Sequence, residues 1–149
     1  EFEKDSFLDA CYSDLIYVHQ FNTSKTIRYV KSSKFQEGLF SKGWCPPHPT
    51  FFVRRSVYKK FGNFDLSYKF ASDVDLMMRF LEKYKIKSKY IPEVWVKMRM
   101  GGVTNKNLKN IWLQNKEIIN SFNKNNLSVN LLKFLILKII SRIVQLFKR

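Results

Sequence analysis

Two carboxylates separated by one residue, in Ala71-Ser72-Asp73-Val74-Asp75-Leu76, are the side chains of this sequence best placed to move a proton. They open a segment of helical pattern and follow a rigid loop, Pro46-Pro47-His48-Pro49-Thr50, in which three prolines fix φ and restrict their neighbours. A positioned carboxylate of this kind can act as a general base on a hydroxyl. The same residues have a purely structural account. Ser72 then serves as N-cap, Asp75 closes a capping box, and Asp73 favours the helix dipole. Nearby, His48 can hydrogen-bond a ligand or be satisfied by backbone within its loop. Trp44 and Phe51 can stack on a ligand or fill a core. Arg99, beside Gly101 and Gly102, offers a planar multi-donor fork to an anion or is a surface arginine at a glycine turn.

The elements that must position these groups read as a mixed α/β chain. Asp14–Val18 and Thr26–Val30 are short apolar runs of strand type, joined as a hairpin by the polar link Gln20–Lys25. Residues 31–45 read as an irregular loop, and Thr50–Val53 as a buried strand. A short helix over Ser56–Phe61 is stopped by Gly62. Ser72–Tyr84 is a helix whose Leu76, Met77, Phe80, Leu81 and Tyr84 share one face. Tyr90-Ile91 and Val94–Met98 read as two strands, and Asn107–Asn123 as a polar helix. Leu131–Arg149 is a strongly amphipathic helix. At about 100° per residue, Leu135, Ile136, Ile139, Ile140, Ile143, Leu146 and Phe147 share one face, and Lys138, Ser141, Arg142, Gln145 and Lys148 the other. Phe134 stands out of place in the polar stripe.

Composition limits the partners. With 149 residues the chain is long enough for a hydrophobic core, and 45% hydrophobic with 16% aromatic residues excludes a mainly disordered protein. The formal charge is +15, with 27 basic against 12 acidic residues, which implies an anionic partner. No acid follows Glu117, so the last third is cationic without relief. Cys11 and Cys45 lack metal-ligand spacing and read as reduced thiols of a cytosolic protein. Glu1-Phe2 reads as a cloning scar, and no signal peptide is visible.

The loop Pro46–Thr50, Phe51-Phe52-Val53-Arg54-Arg55, Gly62-Asn63-Phe64-Asp65 and Ala71–Leu76, in that order, resemble the acceptor-side half of inverting, family 2-type glycosyltransferases of the GT-A fold. These are bacterial enzymes that build surface polysaccharides. The resemblance covers about residues 5–105. It implies that residues 3–105 form the second half of a GT-A domain, an α+β piece, and that 106–149 add a helical, basic, amphipathic tail. It implies Asp73 as general base on the acceptor hydroxyl, with Asp75 and Ser72 as structural neighbours. Trp44 and His48 would meet the sugar, and Arg99 the donor diphosphate, within a loop carrying Gly101 and Gly102. The nucleotide-binding half with its D-x-D metal motif has no counterpart here, since no D-x-D precedes Asp14. The divalent cation, Mg or Mn, is therefore expected in a full-length parent and not in this chain, which by itself is expected to be inactive.

The implied partners are a nucleotide-sugar donor and a glycan or lipid-linked acceptor. The tail 131–149 points to an anionic membrane surface, hence to a cytoplasmic protein peripheral to the inner face of the cell membrane. Basic residues interrupt its apolar run, so a membrane span is not expected. A sheet lacking half its strands also favours a homo-oligomer. Two other readings compete: a nucleic-acid-binding module, suggested by the charge but unsupported by any motif, and a membrane- or partner-docking protein built around the tail.

Overall fold

The computed structural model describes residues 1–101 and 108–147. It is a mixed α/β, more narrowly α+β, arrangement of a four-stranded mixed sheet and four helices. The elements are β1 (Ala10–Val18), β2 (Thr26–Val30), β3 (Phe52–Val53), α1 (Arg55–Phe61), α2 (Ser72–Met78), β4 (Ser88–Arg99), α3 (Leu108–Lys124) and α4 (Leu131–Phe147). Strand β1 is the spine. One of its edges pairs antiparallel with β2 (Leu15↔Val30 to Val18↔Thr26) and with β3 (Ala10↔Val53, Cys11↔Phe52). The other pairs in parallel with β4 along its whole length. Buried on both faces, β1 is correspondingly apolar.

Several expected boundaries shift for physical reasons. The two strands expected around Tyr90 and Val96 are one strand of twelve residues. Pro92 cannot donate to a ladder, and the strand absorbs it as a bulge: Ser13 faces Ile91 while Asp14 already faces Val94. The expected buried strand Thr50–Val53 shrinks to Phe52–Val53, and Phe52 is exposed. Thr50 instead closes a 3-10 turn over His48–Thr50. Its Oγ1 accepts from the Ser13 N–H (3.2 Å) and lies within donating distance of the Ser13 and Pro47 carbonyls (2.9 and 2.8 Å). That hydroxyl ties the proline loop to β1. The helix expected over Ser72–Tyr84 is α-helical to Met78 and widens into a π turn over Arg79–Lys83, with the Tyr84 N–H bonded to the Arg79 carbonyl.

The core lies between the sheet and the helices. Leu76, Met77, Met78, Phe80 and Leu81 are buried with Phe40, Val57 and Ala71. Ile118 and Phe122 of α3 and Phe134 of α4 belong to the same cluster, so the helices after residue 106 pack on the body of the protein. Phe134, only 2% exposed, meets Phe122 edge to face. The residue that breaks the polar stripe of α4 is therefore its anchor.

That anchor reverses the orientation an amphipathic helix normally takes. Lys138, Arg142 and Gln145 of the polar stripe face the protein, where α4 packs on β2 and on the 3-10 turn Phe40–Lys42, while Ser141 is exposed. Lys138 is drawn inward and donates to Asn115 Oδ1 (2.7 Å). Gly43 makes the approach possible. Its φ of +78° suits glycine, and a Cβ there would sit 2.9 Å from Lys138 Cβ. The apolar stripe, Ile136, Ile139, Ile140, Ile143 and Val144, is exposed, with Ile139 59% accessible. Among the described residues no helix is long and apolar enough to cross a membrane.

Candidate functional site

A cleft of about 600 Å³ opens between the sheet face and α4. Strand periodicity supplies its floor. Leu15 and Tyr17 from β1, Arg28 and Val30 from β2, and Met98 and Met100 at the end of β4 are each two residues apart and so share one face. Gln114 of α3 and Arg142 and Gln145 of α4 form the opposite wall. Pro47, His48, Pro49 and Asp73 close one end, and Gly101 lies at the rim. A cleft of this size suits a sugar or a small phosphorylated ligand. A surface depression of about 530 Å³ near Val53, Tyr58, Phe64 and Leu66 is almost wholly apolar and has no carboxylate or imidazole in its lining.

Most acidic side chains near the core are engaged by folding. Asp14 is buried and accepts from Tyr29 Oη (2.6 Å), Tyr90 Oη (2.7 Å) and the Ser32 N–H (2.8 Å). Its negative charge and the bond to it push the Tyr29 phenol up to about 12. Burial, with the same carboxylate, raises Tyr90 as well. Glu82 accepts from the Gly38 N–H (2.9 Å) and holds the loop before α4's landing site. Glu117 accepts from the Lys69, Phe70 and Ala71 N–H groups (3.1, 2.7 and 2.9 Å) and so fixes the chain that leads into α2.

Asp75 belongs to this engaged set, but not through the expected capping box. Ala71 is the N-cap of α2, Ser72 is its first helical residue, and no side-chain cap bond forms. Asp75 is 2% exposed. It accepts from Ser121 Oγ (2.6 Å) and Asn125 Nδ2 (3.1 Å) of α3 and pairs with Arg79 (3.7 Å). A buried carboxylate requires such partners, and the helix start turns so that α3 can provide them.

Asp73 differs. Its Oδ1 accepts from the neighbouring Val74 N–H (2.8 Å), which sets the carboxylate plane. Its Oδ2 lies 3.7 Å from His48 Nδ1, too far for a hydrogen bond. The side chain is 34% exposed and looks into the cleft. Asp73 and His48, each expected on the acceptor side, are brought together. Among the described residues no group of three or more His, Cys, Asp or Glu could hold a metal.

The other expected site residues scatter. Trp44 packs with Tyr12, Phe35 and Phe40 and lines a smaller adjoining cavity with Cys45, Lys138 and Arg142. Its ring is a wall of the core rather than a platform in the cleft. Arg99 is exposed and alternates away from Met98 and Met100, outside the cleft lining. Gly101, at φ +117°, sits at the rim, and Gly102 lies outside the described residues. Cys11 and Cys45 are free thiols, and desolvation followed by the Asp73 charge pushes Cys45 well up.

Sequence reasoning missed the cations of the cleft. Arg28 stacks on the Tyr17 ring (4.2 Å), and its buried Nε has no hydrogen-bond partner among the described residues. Burial and the nearby Arg28 charge lower Arg142 below the usual guanidinium value. Lys138 is lowered to about 8 by burial, with Arg142 adding to the shift. The available signal was Phe134 itself, because an aromatic anchor in a polar stripe implies that the stripe faces inward.

Comparison with protein-family models, with curated proteins and with solved structures yields no match. What this chain does must therefore be argued from the cleft.

Proposed function

We propose that this chain is the acceptor-side half of an inverting glycosyltransferase of GT-A type, with Asp73 as the general base. The observation that carries the reading is the contrast between Asp73 and the other inner carboxylates. Asp73 Oδ2 faces a ligand-sized cleft without a hydrogen-bond donor, whereas Asp14, Asp75, Glu82 and Glu117 are engaged. In the proposed reaction the acceptor oxygen forms a bond to the anomeric carbon as the bond to the nucleotide diphosphate breaks on the opposite face. The acceptor proton passes to Asp73 Oδ2, which becomes a carboxylic acid 3.7 Å from His48 Nδ1. The donor nucleotide and its divalent cation would be held by the other half of the parent enzyme.

The test is sugar transfer by that parent from a panel of nucleotide-sugars. Asp73→Asn is expected to lower turnover by about 10² to 10⁴, as loss of a general base does. Unchanged turnover refutes the assignment. This chain alone is expected to transfer nothing, and metal-dependent transfer by it would overturn the division into halves.

A second reading supports the location of that enzyme. The exposed stripe Ile136–Val144 suits an anionic bilayer surface, with a chain charge of +15 favouring approach. The tail itself contributes less charge than its composition suggests. Lys138 and Arg142 face the protein, and Lys124 pairs with Asp65. Apolar burial would therefore carry the attachment. Flotation with anionic liposomes is expected for the intact chain. Binding that persists after Ile139→Asn and Ile143→Asn would exclude α4 as the anchor.

A further inference from the structure

The guanidinium groups of Arg28 and Arg142 approach each other from β2 and α4 across the cleft. Neither has a carboxylate partner among the described residues, although acids elsewhere in the chain are paired or hydrogen-bonded. Arg28 is held on the Tyr17 ring with its Nε buried and unsatisfied among the described residues. Like charges brought together and partly withdrawn from water oppose folding unless an anion joins them. The anion they suit is a multi-acceptor one, which two planar guanidinium forks can grip from both sides. Gln114 and Gln145 add neutral amides to the same walls.

We propose that Arg28 and Arg142 form a clamp for a phosphate or diphosphate ester whose attached hydroxyl compound extends toward Asp73. The proposal rests on the reading of the cleft as the acceptor side of a transferase, and it adds the ligand's chemical class: an anionic, phosphorylated molecule rather than a neutral glycan. Leu15 and Val30 line the floor between Arg28 and the proline-loop end that carries the carboxylate, and Met98 and Met100 lie level with Arg28 or beyond it. Asp73 lies apart from the arginines at the closed end, so the anion is drawn to one end of the ligand and the base serves the other. Two sources of the phosphoryl group share this chemistry, a prenyl-type lipid diphosphate and a free or nucleotide diphosphate. At about 100° per residue, the exposed Ile139 and Ile143 stand about 60° and 100° from Arg142 around the same helix, so the apolar stripe borders the cleft wall. With a helix about 10 Å across, a lipid-borne diphosphate at the bilayer surface would be within reach of the clamp.

The experiment uses the whole chain and inorganic pyrophosphate, followed by calorimetry and by the melting temperature. The native chain is expected to bind pyrophosphate and to melt higher with it. Arg28→Gln and Arg142→Gln should each weaken binding at least tenfold. In the absence of anion, each should melt at or above the native temperature, because a buried like-charge contact is relieved. Equal binding by native and folded variant chains overturns the clamp, as does a native chain that binds no pyrophosphate. Arg142→Lys guards against a merely generic charge effect: it keeps the charge but loses the fork, and it should recover less than half of the lost binding free energy. Full recovery overturns the fork geometry. A parallel titration with a short prenyl diphosphate in detergent distinguishes the sources. Tighter binding than pyrophosphate identifies the lipid-borne one, and equal binding the soluble one. Pyrophosphate binding alongside a parent enzyme indifferent to Asp73→Asn would leave the clamp standing and remove the base. Loss of transfer in Asp73→Asn with no pyrophosphate binding would do the reverse.

Discussion

Two polar regions meet at the start of α2, and they are built on opposite terms. Beneath the helix, Asp75, Arg79, Ser121 and Asn125 bond to one another at near-complete burial. In the cleft above it, Asp73, His48, Arg28 and Arg142 are partly solvated and largely without partners. The first arrangement suits a structural network, since each buried polar group has its partner and little remains to bind anything else. The second suits a ligand, because the unsatisfied groups gain most when one arrives. Two aspartates one residue apart thus have different roles, decided by which way the first turn of the helix directs them.

The largest test of that contrast is to break the engaged network. Asp75→Ala removes the carboxylate that accepts from Ser121 and Asn125 and pairs with Arg79, and about 3–5 kcal/mol of stability should be lost, measured by urea unfolding. A loss under 1 kcal/mol would mean that water replaces the carboxylate freely. Next in size is the contact that seats α4 over the cleft. Gly43→Ala places a Cβ against Lys138 Cβ at a positive φ and should cost about 1–3 kcal/mol. The same change should loosen the cleft wall, visible as faster amide exchange around Arg142.

The smallest effect concerns pH. Lys138 titrates near 8 in the folded protein and near 10.5 when exposed, because burial opposes its charge. Between those values the unfolded chain holds more protons, so stability should rise as pH increases from about 8 to 10.5, and the contribution is constant below that window. Lys138→Met should abolish this rise in thermal melts. A native chain whose melting temperature falls or stays level over the window would show that Lys138 is solvated.

Much of the fold was legible because it follows local chemistry. The hairpin of β1 and β2 and the helices α1, α3 and α4 follow from apolar spacing and from Gly62 as a stop. What failed was decided by contacts distant in sequence. Pro92 interrupts a strand pattern, but pairing with β1 carries the strand through it as a bulge. Ser72 and Asp75 have capping-box spacing, yet Asp75 is claimed by Ser121 and Asn125, 46 and 50 residues away. The amphipathic pattern of α4 was plain, but which side faces inward depended on Phe134 meeting Phe122. Consequently the resemblance placed Asp73 and His48 each on the acceptor side, while Arg28 and Arg142 came to line one cleft only through the seating of α4 on β2.

The account stands on the division of labour between the two aspartates, and one paired measurement tests it most directly. Asp73→Asn and Asp75→Asn are compared in the parent enzyme for turnover per folded molecule and for unfolding free energy. Asp73→Asn should lose about 10² to 10⁴ in turnover and remain within about 0.5 kcal/mol of native stability, as a half-exposed site allows. Asp75→Asn should lose stability and keep its turnover. The opposite pattern, a stable but inactive Asp75→Asn beside an active Asp73→Asn, would contradict it.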